Sequence, residues 1–182
     1  ERLTESISKL TVGDPLDTAT DMAPLASAAQ FAKVTGYFDI SEAEGNEVIM
    51  GGKSLQGEAG PGFFVAPTLF RTDDLQSRIV REEIFGPVGA VIVFDSEEEA
   101  VRIANDSDFG LVAGLWTQSI DRAHRVARRL EAGTVWINTW RAFSNNVPFG
   151  GVKQSGIGRE LGTSTLDDFT ENKSIWLKVA EA

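Results

Sequence analysis

The residues able to do chemistry concentrate in two segments, Glu82-Glu83-Ile84-Phe85-Gly86-Pro87 and residues 148–162, the latter holding Phe149, Gly150, Gly151, Gly156, Gly158, Arg159 and Glu160. Read from the residues alone, Phe85 is a core ring and Gly86-Pro87 turns the chain into an apolar run that starts at Val88. The glycines of the second segment permit positive φ and close backbone approach, and Glu160 beside Arg159 is an acid at the start of a helix. The 182 residues include no cysteine and one histidine. That excludes disulfides, thiolate metal sites and histidine-rich sites, and would leave a metal only carboxylates, carbonyls or waters. No side chain here can serve as a thiolate nucleophile. His124 lies on the exposed side of a basic helical stretch, with no aspartate or nucleophile arranged around it, and reads as a solvated surface residue.

Regular elements must hold these segments. Leu3, Ile7 and Leu10 share one helical face with no capping residue ahead of them, so the chain opens in a helix entered partway. After a turn at Gly13-Asp14-Pro15-Leu16-Asp17, residues 23–44 place Ala28, Phe31, Ala32, Val34 and Phe38 in a helical pattern, which predicts a long surface helix. Short strands are expected at Val48-Ile49-Met50, Phe63-Phe64-Val65 and Pro67-Thr68-Leu69-Phe70. The apolar run 88–94 is followed by Ser96-Glu97-Glu98-Glu99, a capping box that opens a helix with Ala100, Ile103 and Ala104 inward. A second apolar run, 111–116, precedes a helix that Ser119 can cap and that carries Ile120, Ala123, Ala127 and Leu130 on one face. Thr134-Val135-Trp136-Ile137 is a third strand. Strands apolar on both faces and joined by helices predict an α/β fold, a parallel sheet flanked by helices. Ligands gather at the carboxyl ends of strands in such sheets, which makes the loop 138–149 a candidate pocket wall. Residues 159–169 can form a short helix. Residues 173–179, with Ile175, Trp176, Leu177 and Val179, read as a terminal strand that must pair somewhere.

The 17 basic and 27 acidic residues leave a net charge of −10, which repels phosphate backbones and anionic lipid and argues against nucleic acid or membrane partners. No apolar run approaches the length of a membrane span, and the opening lacks a signal peptide's apolar stretch. The expectation is a soluble, cytoplasmic protein, although a targeting segment ahead of Glu1 would escape this reading. Gly51-Gly52-Lys53-Ser54 ends like a phosphate-binding loop, but Glu47 stands where its first glycine is required. Gly156-Ile157-Gly158 suggests a dinucleotide fingerprint whose third glycine, Gly162, arrives one residue late. Asn105-Asp106-Ser107 and Asn172-Lys173-Ser174 match the glycosylation pattern by chance in a chain without a secretory signal.

In spacing and order the two chemistry-bearing segments, with Thr11-Val12-Gly13-Asp14-Pro15, Gly36-Tyr37 and Pro67-Thr68-Leu69-Phe70, resemble the C-terminal catalytic region of the NAD(P)-dependent aldehyde dehydrogenase superfamily. The resemblance spans nearly the whole chain. It implies that Glu83 accepts hydrogen bonds from the nicotinamide ribose of NAD or NADP, and that Phe85 packs near the nicotinamide. The chemistry suits the roles, since a carboxylate offers acceptors to two adjacent hydroxyls and a flat ring positions a flat heterocycle. Glu82 is expected to stay in solvent. Phe149 resembles the family's aromatic residue beside the aldehyde and Phe143 the residue facing it. With Trp140 they would form an apolar tunnel that desolvates the attacking thiolate and excludes water. Asn138 would brace the catalytic loop, although a turn-forming asparagine explains it equally. Glu160 resembles a glutamate behind the family's general base that relays protons outward, and burial would raise its pKa to suit. Arg159 and Glu171 match an arginine and a glutamate that form ion pairs near the subunit contact, an architectural role.

In the family pattern the nucleophilic cysteine, the general-base glutamate and the dinucleotide-binding domain lie upstream of the region matching Glu1, so the chain is expected to be a piece that begins just after the nucleophile. On this reading residues 1–157 are the C-terminal portion of a catalytic domain, and 158–182 a helix followed by an oligomerisation strand. The parent would oxidise a small-molecule aldehyde to a carboxylic acid with NAD or NADP through a cysteine thioester, as a homo-oligomer, dimer or tetramer. The fragment alone would be inactive. Two alternatives stay open: a non-catalytic binding or scaffold module derived from an aldehyde dehydrogenase, and a semialdehyde or CoA-linked enzyme of the same superfamily. For the latter, Arg141 in the pocket loop could attract a carboxylate-bearing aldehyde, while an exposed arginine at a loop tip explains it as well.

Overall fold

A computed structural model describes residues 1–179, which group into two compact units, one ending at Phe94 and one beginning at Asp95. The first unit opens with α1 (Arg2–Ile7) and continues into α2 (Ala28–Ala43). The second helix starts where the Ser27 hydroxyl accepts from the Gln30 amide at 3.2 Å, later than the apolar pattern alone suggested. Val34, Tyr37 and Ser41, at i, i+3 and i+7, are buried, so α2 closes the core along one face instead of lying wholly on the surface.

Below it lie β1 (Glu47–Met50), β2 (Thr68–Arg71), the single turn α3 (Arg78–Arg81) and β3 (Val88–Val91). The central strand β2 runs antiparallel to β1 and parallel to β3, with Thr68 opposite Val88 and Arg71 opposite Val91. Both faces of β2 are covered, and Val34, Tyr37, Val65, Phe70, Ile79 and Ile84 form the core cluster. Phe70 is fully buried with Phe38 tilted against it at 6.3 Å, so truncating it to alanine would cost about 3–5 kcal/mol. The strand expected at Phe63-Phe64-Val65 is reduced to a single bridge between Ser54 and Val65.

The second unit contains α4 (Glu97–Asn105), β4 (Phe109–Gly110), β5 (Val112–Leu115), α5 (Ile120–Ala127), β6 (Thr134–Ile137), β7 (Val152–Lys153) and α6 (Thr165–Asp168). The expected cap at Ser96 is present, with the reciprocal bond of the capping box taken one residue early. Ser96 accepts from the Glu99 amide at 3.1 Å, while the Glu99 carboxylate turns back to the Asp95 amide at 2.9 Å. Ser119 caps α5 by accepting from the Arg122 amide at 3.3 Å. The β5–α5–β6 stretch is the predicted parallel unit, Val112 lying opposite Thr134 and Leu115 opposite Ile137. The first of the three apolar runs, β3, takes β2 as its parallel neighbour, because buried runs of this kind carry no signal for which strand they pair with.

Glu97 ties the two helices of this unit together, accepting from Arg125 Nε at 2.7 Å and Arg122 Nε at 3.2 Å. The Arg125 hydrogen bond, with Arg122 assisting, lowers its carboxyl pKa to about 2. The helix expected over 159–169 is the single turn α6, and residues 171–179 join no ladder among the described residues, leaving Ile175, Trp176, Leu177 and Val179 exposed. No described helix is long and apolar enough to cross a membrane.

Candidate functional site

In the 82–87 loop the core position belongs to Ile84, not to Phe85. Ile84 is 8% exposed, and a Cβ on Gly86 would fall 2.6 Å from Val34 Cγ2, so the loop passes tightly over α2. Between them Phe85 has φ 57°, and this left-handed backbone turns the ring outward until it is 73% exposed. The expectation of a core ring fails for that reason. The backbone is gripped from α2: Lys33 Nζ donates to the Glu83 carbonyl at 2.6 Å, and Gln30 Nε2 donates to the Ile84 carbonyl at 3.2 Å and also to that of Phe85.

Glu82, expected in open solvent, is exposed yet engaged. It accepts from the Tyr37 hydroxyl at 2.6 Å and from Arg78 Nε and Nη2 at 2.7 and 3.0 Å. The hydrogen bonds from Arg78 and then Tyr37 hold its carboxyl at about 2, and burial followed by the Glu82 contact pushes the Tyr37 phenol up. Among the described residues no hydrogen bond or ion pair engages the Glu83 carboxylate. An unengaged acid and an outward ring, on a backbone held at successive residues, fit a ligand that offers vicinal hydroxyls and a flat heterocycle.

In the second unit β6 ends at Ile137 and the pocket loop begins at Asn138, whose φ is 55°. Its Oδ1 accepts from the Thr117 amide and its Nδ2 donates to the Thr117 carbonyl, both at 2.8 Å. The turn residue and the brace are thus the same asparagine. One residue pair back, the buried Trp136 donates Nε1 to the Ala142 carbonyl at 2.9 Å and folds the loop over itself. Its ring meets Trp140 at 4.9 Å and Phe143 at 5.5 Å, and Phe143 meets Phe149 at 5.1 Å, all edge-to-face.

The rings of Trp136, Phe143 and Phe149 wall a cleft of about 280 Å³ whose lining also includes Ala142 and Val147. Phe143 and Phe149 therefore come together as expected. Trp140 does not line this cleft; it packs on Gly114, where a Cβ would come within 3.1 Å of its ring. Trp136 escaped the sequence reading as a site residue because strand position alone explained its indole. The available signal was its hydrogen-bonding N–H, which a buried tryptophan must satisfy nearby.

Residues 148–162 fold back as a closed loop. Phe149 and Glu160 exchange backbone hydrogen bonds at 2.7 Å in both directions, which fixes the Phe149 ring at the cleft. Gly133 is needed where this loop crosses the start of β6, since a Cβ there would lie 1.7 Å from the Gly150 carbonyl oxygen. Arg159 donates Nη1 to the carbonyls of Gly151 and Gly158 at 2.7 and 2.6 Å, and its amide donates to Asp168 Oδ2 at 2.8 Å.

Within the chain Arg159 is thus a brace through carbonyls. Among the described residues no ion pair joins it to the exposed Glu171. Glu160 is also exposed, on a second cleft of about 520 Å³ that Phe149, Arg159 and Asp168 share, so the burial expected around its carboxylate is absent within this chain. Arg141 is exposed at the loop tip with φ 57°.

A family model described as the aldehyde dehydrogenase family matches residues 1–175. A betaine aldehyde dehydrogenase of Mesorhizobium japonicum is 48% identical over 183 residues, covering 100% of this chain and 37% of that protein. A solved structure of an aldehyde dehydrogenase from Bacillus cereus, a glycine-to-aspartate mutant, matches with a TM-score of 0.90 at 45% identity, over 97% of this chain and 35% of that one. The betaine aldehyde dehydrogenase of Staphylococcus aureus, solved in complex with NAD+, matches with a TM-score of 0.87 at 39% identity, over 92% of this chain and 34% of that one. The chain spans about a third of the length of these relatives.

Proposed function

Because the chain belongs to the aldehyde dehydrogenase family, we propose that it is the C-terminal part of an enzyme that oxidises an aldehyde to a carboxylic acid with NAD or NADP. The observation that carries this reading is the Glu83 carboxylate, unengaged beside the outward ring of Phe85 on a loop held by α2. Glu83 accepts hydrogen bonds from the ribose hydroxyls, and Phe85 backs the flat ring of the cofactor. When bound, that cofactor accepts the hydride.

Phe143 and Phe149 seat the aldehyde and exclude water while a cysteine thiolate adds to the carbonyl; the adduct becomes a thioester only on giving up its hydride, and water then hydrolyses that thioester to the acid. This chain contains no cysteine, so the nucleophile is supplied by another part of the enzyme. Trp136 and Trp140 back the wall, and Asn138 fixes its start. Glu160 passes protons outward, a task its contact with solvent suits. Arg159 and Glu171 are architectural. The division by role, 1–157 and 158–182, belongs to the same proposal, with the apolar segment at Ile175, Trp176, Leu177 and Val179 adding a strand across the boundary of a homo-oligomer. A thiolate mechanism fits a reducing cytoplasm.

The test is kinetic, with betaine aldehyde as the first substrate because a 48% identical relative carries that name. In the full enzyme, Glu83→Gln raises KM for the nicotinamide cofactor and Phe149→Ala raises KM for the aldehyde, each about tenfold for roughly 1.4 kcal/mol of lost binding. The 182-residue chain alone gives no reduced cofactor. Turnover by this cysteine-free protein would require another nucleophile and overturn the assignment of roles.

A further inference from the structure

Three side chains on one face of α2, at i, i+3 and i+7, hold four successive residues of the 82–87 loop. Gln30 takes the carbonyls of Ile84 and Phe85, Lys33 takes that of Glu83, and Tyr37 takes the side chain of Glu82. The first two are flexible side chains. Tyr37 is different: it is 5% exposed in the core, its ring lies 5.7 Å beneath the Arg78 guanidinium, and that guanidinium grips the same Glu82 carboxylate with two N–H groups. Glu82 therefore has its carboxylate fixed by a rigid aromatic stem and a bidentate arginine. The next residue along the chain is Glu83, whose own carboxylate no described residue holds.

We propose that Tyr37 and Arg78 are positioning residues for the cofactor-binding carboxylate: by clamping Glu82 they set the backbone direction from which Glu83 reaches the ribose hydroxyls. The inference rests on the reading of Glu83 given above. A carboxylate that must meet two hydroxyls at once gains most from a fixed origin, because the conformational freedom of its backbone is removed before the ligand arrives. The ion pair Glu82–Arg78 alone, exposed to solvent, would fix little. The phenol hydroxyl, fixed on its ring in the core, is what supplies the rigidity. Holding Glu82 ionised keeps all three bonds in place at neutral pH.

The test is a double-mutant cycle in the full enzyme, read by titrating NADH fluorescence for Kd and by separating KM from kcat. Tyr37→Phe, which keeps the core ring and deletes only the hydroxyl, weakens NADH binding about fivefold, leaves KM for the aldehyde unchanged, and leaves the melting temperature close to that of the parent. Glu83→Gln weakens NADH binding as well, and Tyr37→Phe added to it has no further effect, the non-additivity expected when one residue acts through the other. Arg78→Lys, which keeps the charge and loses the two-pronged grip, falls between the parent and Tyr37→Phe. Equal losses from Tyr37→Phe with and without Glu83→Gln, or no loss with Glu83 intact, would overturn the positioning role. If Glu83→Gln itself leaves NADH affinity unchanged, the reading of Glu83 fails first, and the positioning inference falls with it.

Discussion

Asn138 concentrates at one residue two demands that are usually met separately, a left-handed backbone and a two-way amide bond to Thr117. Asparagine satisfies both because its short side chain tolerates positive φ and carries one donor group and one acceptor. Asn138→Ala loses both hydrogen bonds and leaves in the left-handed region a side chain with no polar group to offset the strain, so it lowers unfolding free energy by about 3 kcal/mol. Asn138→Gly loses the same bonds without the backbone penalty and falls about 1 kcal/mol short of that. Urea titration of the three proteins gives the order, and an alanine variant as stable as the glycine variant would remove backbone conformation from the explanation. At this scale the sequence yielded identities more readily than orientations. Phe143 and Phe149 meet as expected, while Phe85 points outward because of a positive φ at a phenylalanine, which no pattern of residue types announces. The Glu82 clamp was hidden for a similar reason, since Tyr37 lies 45 residues away in sequence and only the fold brings its hydroxyl to the carboxylate.

Among the elements, α4 and α5 were the most legible, because Ser96 and Ser119 announce their starts by local chemistry that the structure reproduces. The fastening between them was not. Glu97 belongs to the first turn of α4 and meets Arg122 and Arg125 of α5, a pairing set by how the helices lie and invisible to spacing along one of them. It predicts a pH dependence. The Glu97 carboxyl lies near 4.5 when free and about 2 when held by Arg125 and Arg122, so its folded pKa is the lower one. The stabilisation is complete above about pH 4.5 and is lost as the pH falls towards about 2. Glu97→Gln therefore melts below the parent at neutral pH, and the difference closes across that acid window. A difference that stays constant down to pH 2 would show that the carboxylate does not gain its stability from ionisation. Glu82 contributes in the same direction over the same range, since its pKa is also lowered to about 2, which is why the comparison is made against the single variant. Strand pairing was the least legible feature at this scale: β5 and β6 pair in parallel around α5 as predicted, whereas β3 finds β2.

Across the whole molecule, the proposed reading divides the chemistry between the two units. The first offers a carboxylate and a ring on a loop that α2 holds, and the second offers a cleft walled by Trp136, Phe143 and Phe149. Family membership was legible from the two motif segments, which hold several glycines, Gly86, Gly150 and Gly151 among them, where a Cβ would clash. The apolar segment around Trp176 was legible as a strand in composition only, for among the described residues it joins no ladder. On the proposed reading this cysteine-free chain binds and orients the cofactor, with Glu83 holding the ribose. The most direct measurement is a crystal structure of the full enzyme with NAD+. The expected structure has the Glu83 carboxylate about 2.7 Å from the hydroxyls of the nicotinamide ribose, with Phe85 against the adjoining ring. A ribose held by other groups, with Glu83 still turned to bulk water, would contradict it.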